Sequence, residues 1–433
     1  MNLSEEQILA LAPDDASRKA GKELAVPAKW LSKEFSEAAL WGACQGSGSK
    51  PYQTQVDLSN LAFKCSCPSR KFPCKHGIGL LLLKARYPDQ FSKAATPEWV
   101  MEWLGKRTEK EQKKSDKQEK PVDEISQAKR QQARLQKVND GIDELLLWIK
   151  DIIRNGILNI PEKQSSLFGN ISRRMIDAQA PGLANMLKSL ENINYFSEGW
   201  QTAFLETLLK IYLLLKGFKN IQSADRLLQE DIKTLIGFTQ NQDELKARDG
   251  LTDNWFVLAK QISEEEQLTI ERNWLYGTAS EQYALVLQFY VKNQIPTLTL
   301  TAGLTYQASL IYFDSAIPLR ALLKENTIKQ TTFQPGGLRN WKEVIDKQTN
   351  NSIRLPFSDN YPFIMEALKP VYLNHEWWLE DKENNIMPVI RKFQGIWKFL
   401  SLSGGDYKPV SLIASGNEYL PVGIWTNNKY NAI

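Results

Sequence analysis

The sequence contains very few of the side chains that bind transition metals or transfer protons near neutral pH. Its 433 residues include 4 cysteines and 2 histidines. Small secreted domains held together by disulfides are rich in cysteine, so this class is excluded. With two histidines, a mechanism that depends on several histidine acid–base groups is excluded as well.

Long apolar runs are also absent. The strongest one, Phe204 to Leu215, is interrupted by Glu206 and Lys210. It is too short to cross a bilayer, which requires about 20 apolar residues. The first residues are acidic and do not lead into the apolar segment of a signal peptide. We therefore expect a cytoplasmic protein whose thiols stay reduced.

Several motifs of enzymes are missing. The chain has no GxxxxGK[ST] phosphate-binding loop, no GxSxG nucleophile turn and no HExxH metalloprotease helix. Its acidic residues, such as Asp177, Glu281 and Asp314, show no pattern typical of a catalytic pair. The sequence therefore predicts a binding protein and not an enzyme. The alternative is an enzyme of another kind with its site in the C-terminal half.

The composition is that of an ordinary globular protein, with 42% hydrophobic and 24% charged residues. A chain of this length predicts more than one domain. Its residue pattern divides it into four parts, which predict an α+β multidomain protein. The predicted parts are an N-terminal domain at 1–104, a charged linker at 105–138, an α-helical array at 139–250 and a β-rich C-terminal domain at 251–433.

The N-terminal domain reads as strands followed by a helix. The segments ALWGACQGS, YQTQVDL and LAFKCSC are short apolar or alternating runs separated by Gly, Ser, Pro and Asn, which is typical of antiparallel strands. The segment GIGLLLLKARY then predicts a helix that ends before Pro88. This arrangement places one pair of cysteines at a strand end and the next ligand pair at a helix start.

The remaining segments show the periodicities on which the domain division rests. Between 139 and 250, apolar residues recur at helical spacing, as in Ile142, Leu145, Leu146, Ile149, Ile152 and Ile153. From 251 onward, stretches such as TLTLTAGLTYQASLIYF predict strands. We expect the tryptophans of this half to pack in its core and rim, namely Trp255, Trp274, Trp341, Trp377, Trp378, Trp397 and Trp425.

Three of the four cysteines and one histidine lie together in CSCPSRKFPCKH. The pairs Cys65/Cys67 and Cys74/His76 form a Cys3His set, which is a standard ligand set for structural zinc. A disulfide fits poorly, because thiols stay reduced in the cytosol and Cys65 and Cys67 are too close for an unstrained bridge. Burial of the cysteines as small apolar residues is the other alternative. We expect Cys44 to be a buried strand residue and His375 to be structural.

Four protein ligands complete a tetrahedral shell, whereas a catalytic zinc keeps one position open for water or substrate. The motif also contains no carboxylate that could act as a base. The sequence therefore predicts one structural Zn²⁺ without a catalytic role.

The pattern C-x-C-x(n)-C-x-H resembles the SWIM zinc finger, a motif that covers Cys65 to His76. The order of finger, apolar helix, charged linker, helical run and β-rich end is similar to that of bacterial SWIM-finger proteins. The resemblance implies a ββα finger at about residues 40–88, with four zinc ligands that are all present here. It also implies binding of DNA or protein, and an association with MoxR-type AAA+ ATPases and von Willebrand A-domain proteins.

The finger is basic although the net charge of the chain is only +4. No acidic residue lies between Asp57 and Asp89. Bases interleaved with an aromatic ring favour a contact surface for phosphates and bases, or for an acidic protein. The alternative is that the bases only balance the negative zinc–thiolate cluster. The predicted partner-binding residues are Lys64, Arg70, Lys71, Phe72, Lys75 and Lys84.

Overall fold

The computed structural model describes residues 3, 5–46, 50–59, 61–69, 71–115, 124–265, 268–291, 298–329, 333–334, 336–358 and 360–433. It confirms the predicted order of a mixed N-terminal part, a helical centre and a strand-rich C-terminal half. The described strands form three sheets, of which one is a closed barrel.

The N-terminal part is a five-stranded sheet covered by helices. Its strand order is β4-β3-β2-β1-β5, and all pairs except β1–β5 are antiparallel. The β3–β4 hairpin and the helix α3 that follows it form the expected ββα unit. The elements are α1 (Glu5–Ala10), α2 (Asp15–Leu24), β1 (Trp30–Phe35), β2 (Ala39–Cys44), β3 (Tyr52–Asp57), β4 (Ala62–Cys65), α3 (Lys75–Arg86), β5 (Ser92–Lys93) and α4 (Glu98–Ser115).

Helix α3 is buried on almost every side, as its sequence KHGIGLLLLKAR requires. Ile78, Leu80 and Leu82 are fully buried. Helix α2 lies so close to α3 that a Cβ atom at Gly21 would stand 2.6 Å from the Ile78 side chain. Glycine is therefore required at Gly21, and the packing of α2 fixes the position of the helix that carries two predicted ligands.

The centre of the chain is an array of helices packed around its own apolar core. Val138, Ile142 and Leu145 are fully buried on one face of the first long helix, at helical spacing. The predicted linker 105–138 contains the ends of two helices, α4 and α5, within its described residues; the domain boundaries stay predictions. The helices are α5 (Glu124–Asn155), α6 (Ile160–Asp177), α7 (Pro181–Ser189), α8 (Trp200–Lys219), α9 (Arg226–Ile236) and α10 (Gln242–Lys246).

The first strand-rich unit of the C-terminal half is a closed five-stranded barrel with the order β10-β8-β7-β6-β9. A short parallel pairing of β10 with β8 closes it, since β10 also pairs with β9 in antiparallel fashion. Trp255, Val257, Leu275 and Leu310 fill one part of the apolar core. The strands are β6 (Leu251–Glu265), β7 (Leu268–Gly277), β8 (Tyr283–Val291), β9 (Thr305–Tyr312) and β10 (Arg320–Lys329).

The second strand-rich unit is a six-stranded sheet with the order β13-β12-β11-β14-β15-β16. Of the tryptophans predicted to pack in the core and rim, Trp397 lies at the rim, since it is 69% exposed and makes an edge contact with Trp377 at 6.0 Å between ring centroids. The elements are α11 (Trp341–Arg354), β11 (Asn360–Leu373), β12 (Glu376–Glu380), β13 (Ile386–Pro388), α12 (Ile396–Ser403), β14 (Lys408–Ser415), β15 (Glu418–Thr426) and β16 (Lys429–Ala432). Four of the other tryptophans are buried, namely Trp255, Trp274, Trp341 and Trp425.

Polar contacts tie the helical array to the barrel. The Asp314 carboxylate, in the loop after β9, lies 3.1 Å from Arg226 Nη1 and 2.9 Å from Arg248 Nη1. The Asp231 side chain on α9 accepts a hydrogen bond of 2.7 Å from the Ala316 backbone N–H. The sequence alone gave Asp314 no role, and its structural role is to join these two units.

Within the described residues, no helix is long and apolar enough to span a membrane.

Candidate metal centre

The four predicted ligands come from two neighbouring elements of the ββα unit. Cys65 is the last residue of β4, and Cys67 lies two residues beyond it. Cys74 is the N-cap of α3, and His76 lies in the first turn of that helix. Since α3 folds back over the β3–β4 hairpin, the strand end and the helix start meet.

The ligand atoms of these four residues all lie within 4.8 Å of one another. His76 Nδ1 lies 3.8 Å from Cys65 Sγ and 4.0 Å from Cys74 Sγ. A tetrahedron with Zn–S bonds of about 2.3 Å would hold its sulfur atoms ~3.8 Å apart. The cluster therefore has the donor set and the size for one tetrahedral zinc ion, and Cys65, Cys67, Cys74 and His76 are positioned to bind it.

Neighbouring groups hold the ligands in place. The Thr54 hydroxyl on β3 lies 3.2 Å from Cys65 Sγ, and the ring of Tyr52 packs against His76 with the centroids 4.9 Å apart. The backbone N–H groups of Ser69 and Gly77 donate to the sulfur atoms of Cys67 and Cys74 respectively. Such contacts orient metal ligands and favour the thiolate form.

The thiols of the cluster lie close enough to shift one another's pKa. The pKa of Cys65 is raised to about 12, because its thiol donates to Cys74 and because it is buried. The pKa of Cys74 is lowered by the same hydrogen bond from Cys65. The thiols of this cluster are therefore coupled to one another. A bound Zn²⁺ would join the β4 end to the α3 start.

A glycine allows the strand and the helix to meet. A Cβ atom at Gly77 would stand 2.7 Å from Cδ1 of Phe63 on β4. Phe63 is buried in the core under the cluster. Any larger residue at Gly77 would push α3 away from β4, and with it the two ligand pairs.

The remaining cysteine and histidine, Cys44 and His375, do not belong to the ligand cluster. Cys44 is fully buried on β2, as predicted, and burial raises the pKa of its thiol to about 11. It is therefore a protonated core residue and not a fifth ligand. His375 lies in a turn after β11, exposed to solvent and beside the Tyr372 ring at 6.5 Å between centroids.

The predicted partner-binding residues fall into different environments. Lys64 and Lys75 are exposed on β4 and α3, on the elements that carry the ligands. Lys71 is engaged by Asp14, with Nζ 2.6 Å from the carboxylate, and the hydrogen bond from Lys71 lowers the pKa of Asp14 to about 2. Arg70 lies outside the described residues.

Phe72 and Lys84 are parts of the core rim. Phe72 is half-buried and makes an edge contact with Phe63 at 6.0 Å between centroids. Lys84 Nζ stands 3.8 Å above the ring of Phe35 and 5.0 Å from that of Phe91. The assignment of both residues to a partner surface stays a prediction.

Asp14 is a site residue that the sequence analysis missed. It caps α2 by accepting from the Ser17 backbone N–H at 2.7 Å, and it also pairs with Lys71. Its capping role was visible in the sequence PDDAS, because aspartate before a helix is a common N-cap. Its pairing was not visible, because the two residues lie far apart in the chain.

Two parts of the chain match known protein families, namely the ββα unit with the four ligands and the helical array. Residues 52–85 match the SWIM zinc finger, and this range holds β3, β4, all four ligands and most of α3. The chain carries a SWIM zinc finger. Residues 133–236 match the SWIM-associated four-helix bundle domain, which covers most of the helical array. The zinc-finger match indicates a zinc-binding domain with an interaction-type role.

No curated protein and no solved structure matches the chain.

Proposed function

We propose that the chain is an adaptor whose zinc-held finger binds an acidic face of a partner protein. The observation that carries this proposal is the environment of the finger's bases. Lys64 and Lys75 are exposed beside a ligand cluster that would be closed around its metal. A closed shell offers no position for a substrate, so the surface around it is the part available for contact.

A nucleic-acid partner is the second candidate, and the same lysines favour it. Binding to duplex DNA would need several phosphate contacts, each of which adds about −0.9 to the log–log salt slope. Lys71 already pairs with Asp14 at 2.6 Å, and Lys84 lies over two aromatic rings. Fewer bases are therefore free to release counterions than the sequence predicts, which favours the protein partner.

Two variants separate these candidates. Lys64→Glu with Lys75→Glu reverses the exposed charges of the finger. Asp14→Asn keeps a good helix cap but removes the charge that engages Lys71. If the finger bound DNA, Asp14→Asn would steepen the salt slope by about 0.9 and the double reversal would abolish binding.

The proposal predicts a different result in affinity capture from native lysate. A bound protein should persist after nuclease treatment, and it should be lost from the Lys64→Glu/Lys75→Glu variant. Loss of every bound protein after nuclease, together with salt-dependent DNA binding by the purified protein, would contradict the protein-partner proposal. In that case the finger would be a nucleic-acid module.

The resemblance to SWIM-finger proteins supports a narrower version of the same proposal. In it, the partner belongs to a MoxR-type AAA+ ATPase system, with von Willebrand A-domain proteins as further partners, in the cytoplasm. Identification of the captured protein by mass spectrometry tests this version directly. Capture of proteins with neither an ATPase domain nor a von Willebrand A domain would contradict it and would leave the broader adaptor proposal intact.

The alternative of an enzyme in the C-terminal half depends on a reactive polar group there. The strongest such group is Glu271 inside the barrel. Its carboxylate is buried and lies 3.0 Å from Lys260 Nζ, and it accepts hydrogen bonds of 3.0 Å from Asn273 and 2.9 Å from Gln288. A carboxylate so fully engaged is typical of a structural network, which supports the adaptor over the enzyme.

A further inference from the structure

A surface groove on the helical array lies between α5 and α8. It has a volume of about 320 Å³, and its floor and walls are mainly apolar. The array would be expected to bury such residues, since helices in water turn apolar faces inward. The lining residues are Ile149, Lys150, Ile153, Arg154, Leu205, Leu208, Leu209 and Tyr212.

The edges of the groove expose large apolar side chains. Leu209 is 63% exposed and Ile153 is 50% exposed, whereas Ile149 and Leu208 below them are buried. Ile153 belongs to the face of α5 that the sequence predicts to be internal, yet it stands at the surface. Contiguous exposed apolar residues of this kind mark binding sites.

The charges of the groove are of one sign. Lys150 and Arg154 are exposed on its α5 side, and no acidic residue lines it. Arg154 pairs with Asp151 at 3.8 Å, and both side chains are largely exposed. An exposed pair at this distance contributes little and leaves Arg154 available to a partner.

From these contacts we propose that the groove binds an amphipathic helix of a partner protein, with its apolar face inward and acidic residues along one flank. A groove between two helices receives the ridge of a third helix, anchored by apolar residues at i, i+3/i+4 and i+7. The acidic flank would pair with Lys150 and Arg154. This site is separate from the finger and goes beyond its proposed function, because it would let one chain hold two partners.

The test uses the full chain and two synthetic helical peptides of about 16 residues, long enough to cover the groove. Both carry leucines at helical spacing, and their flanking positions are all glutamate in one and all lysine in the other. Fluorescence anisotropy should show saturable binding of the glutamate peptide. The lysine peptide should bind at least about tenfold more weakly, and Lys150→Glu with Arg154→Glu should reverse this preference.

Leu209→Asp should raise the dissociation constant of the glutamate peptide by about tenfold or more, because it places a charge in the apolar contact. The matched control is Leu31→Asp on β1, at a side chain that is 65% exposed and far along the chain. It should leave binding unchanged. Circular dichroism confirms that each variant is folded.

Any of four results would overturn the proposal. The first is no saturable binding of the glutamate peptide, and the second is equal binding of both peptides. Another is no effect of Leu209→Asp. The last is a wild-type dimer in sedimentation velocity that Leu209→Asp converts to a monomer, because the groove would then be filled by a second copy.

Discussion

Cys44 and Cys65 show how position decides the role of a cysteine. Cys65 belongs to the cluster of ligand atoms, whereas Cys44 does not. Cys44 lies on β2 opposite Tyr52 and packs in the core. The difference gives a direct test of the ligand assignment.

We expect Cys65→Ser and His76→Ala to lower zinc content well below one ion per chain, because each removes one of four ligands. Cys44→Ala should keep its zinc, since it replaces a protonated core thiol with another small apolar residue. Elemental analysis of purified variants measures this. If Cys44→Ala loses zinc as readily as Cys65→Ser, the ligand set is wrong.

For single residues, the sequence was most informative where the interacting residues lie close together in the chain. The four ligands lie within one short segment and share one metal, so their pairing could be predicted. The partners of Lys71 and Lys84 could not, because Asp14 and Phe35 come from other elements and meet the finger only in the fold. The same limit applies to Trp397, whose exposure depends on how α12 lies on its sheet.

Among the elements, the contact of α3 with β4 matters most for the metal centre. Gly77 lies against Phe63, and its replacement would separate two ligand pairs. Gly105 on α4 offers a matched control, because a Cβ atom there would meet nothing within 4 Å.

Gly77→Ala should lower the free energy of unfolding of the finger by about 1–3 kcal/mol through overpacking. Gly105→Ala should raise it by up to about 1 kcal/mol, because alanine favours an exposed helix interior. Thermal unfolding of the zinc-loaded proteins, followed by circular dichroism, compares the two. Equal effects would show that the close approach of α3 and β4 is not a constraint.

The order of helices and strands could be predicted from the periodicity of apolar residues. The closure of five strands into a barrel could not. Alternation in segments such as TYQASLIY predicts strands. The barrel depends on two residues of β10, Arg320 and Ala321, pairing in parallel with β8. Register between distant strands is set by tertiary packing, and the strand pattern alone does not contain it.

At the scale of the whole molecule, the bound zinc should stabilise the N-terminal part more than the other parts. Structural zinc contributes about 10–16 kcal/mol of apparent binding free energy in isolated fingers, which is comparable to the stability of an entire domain. The helical array has an apolar core of its own, and the six-stranded sheet has another. These parts should therefore survive the loss of the metal.

Chelation followed by limited proteolysis tests this division. We expect residues 1 to about 104 to be degraded and a fragment from about residue 139 onward to resist, in line with the predicted boundaries. Residues of the N-terminal part and of the barrel belong to one apolar cluster. A cooperative collapse of the whole chain would mean that this cluster couples them, and it would reject the domain division.

The central claim is that Cys65, Cys67, Cys74 and His76 hold one zinc ion in a closed shell that shapes a contact surface. X-ray absorption at the zinc edge of the purified protein tests it most directly. The account predicts one zinc per chain with three sulfur neighbours at about 2.3 Å and one nitrogen at about 2.0 Å. A shell with fewer sulfur atoms and an added water oxygen would contradict it, because the site would then be open to substrate.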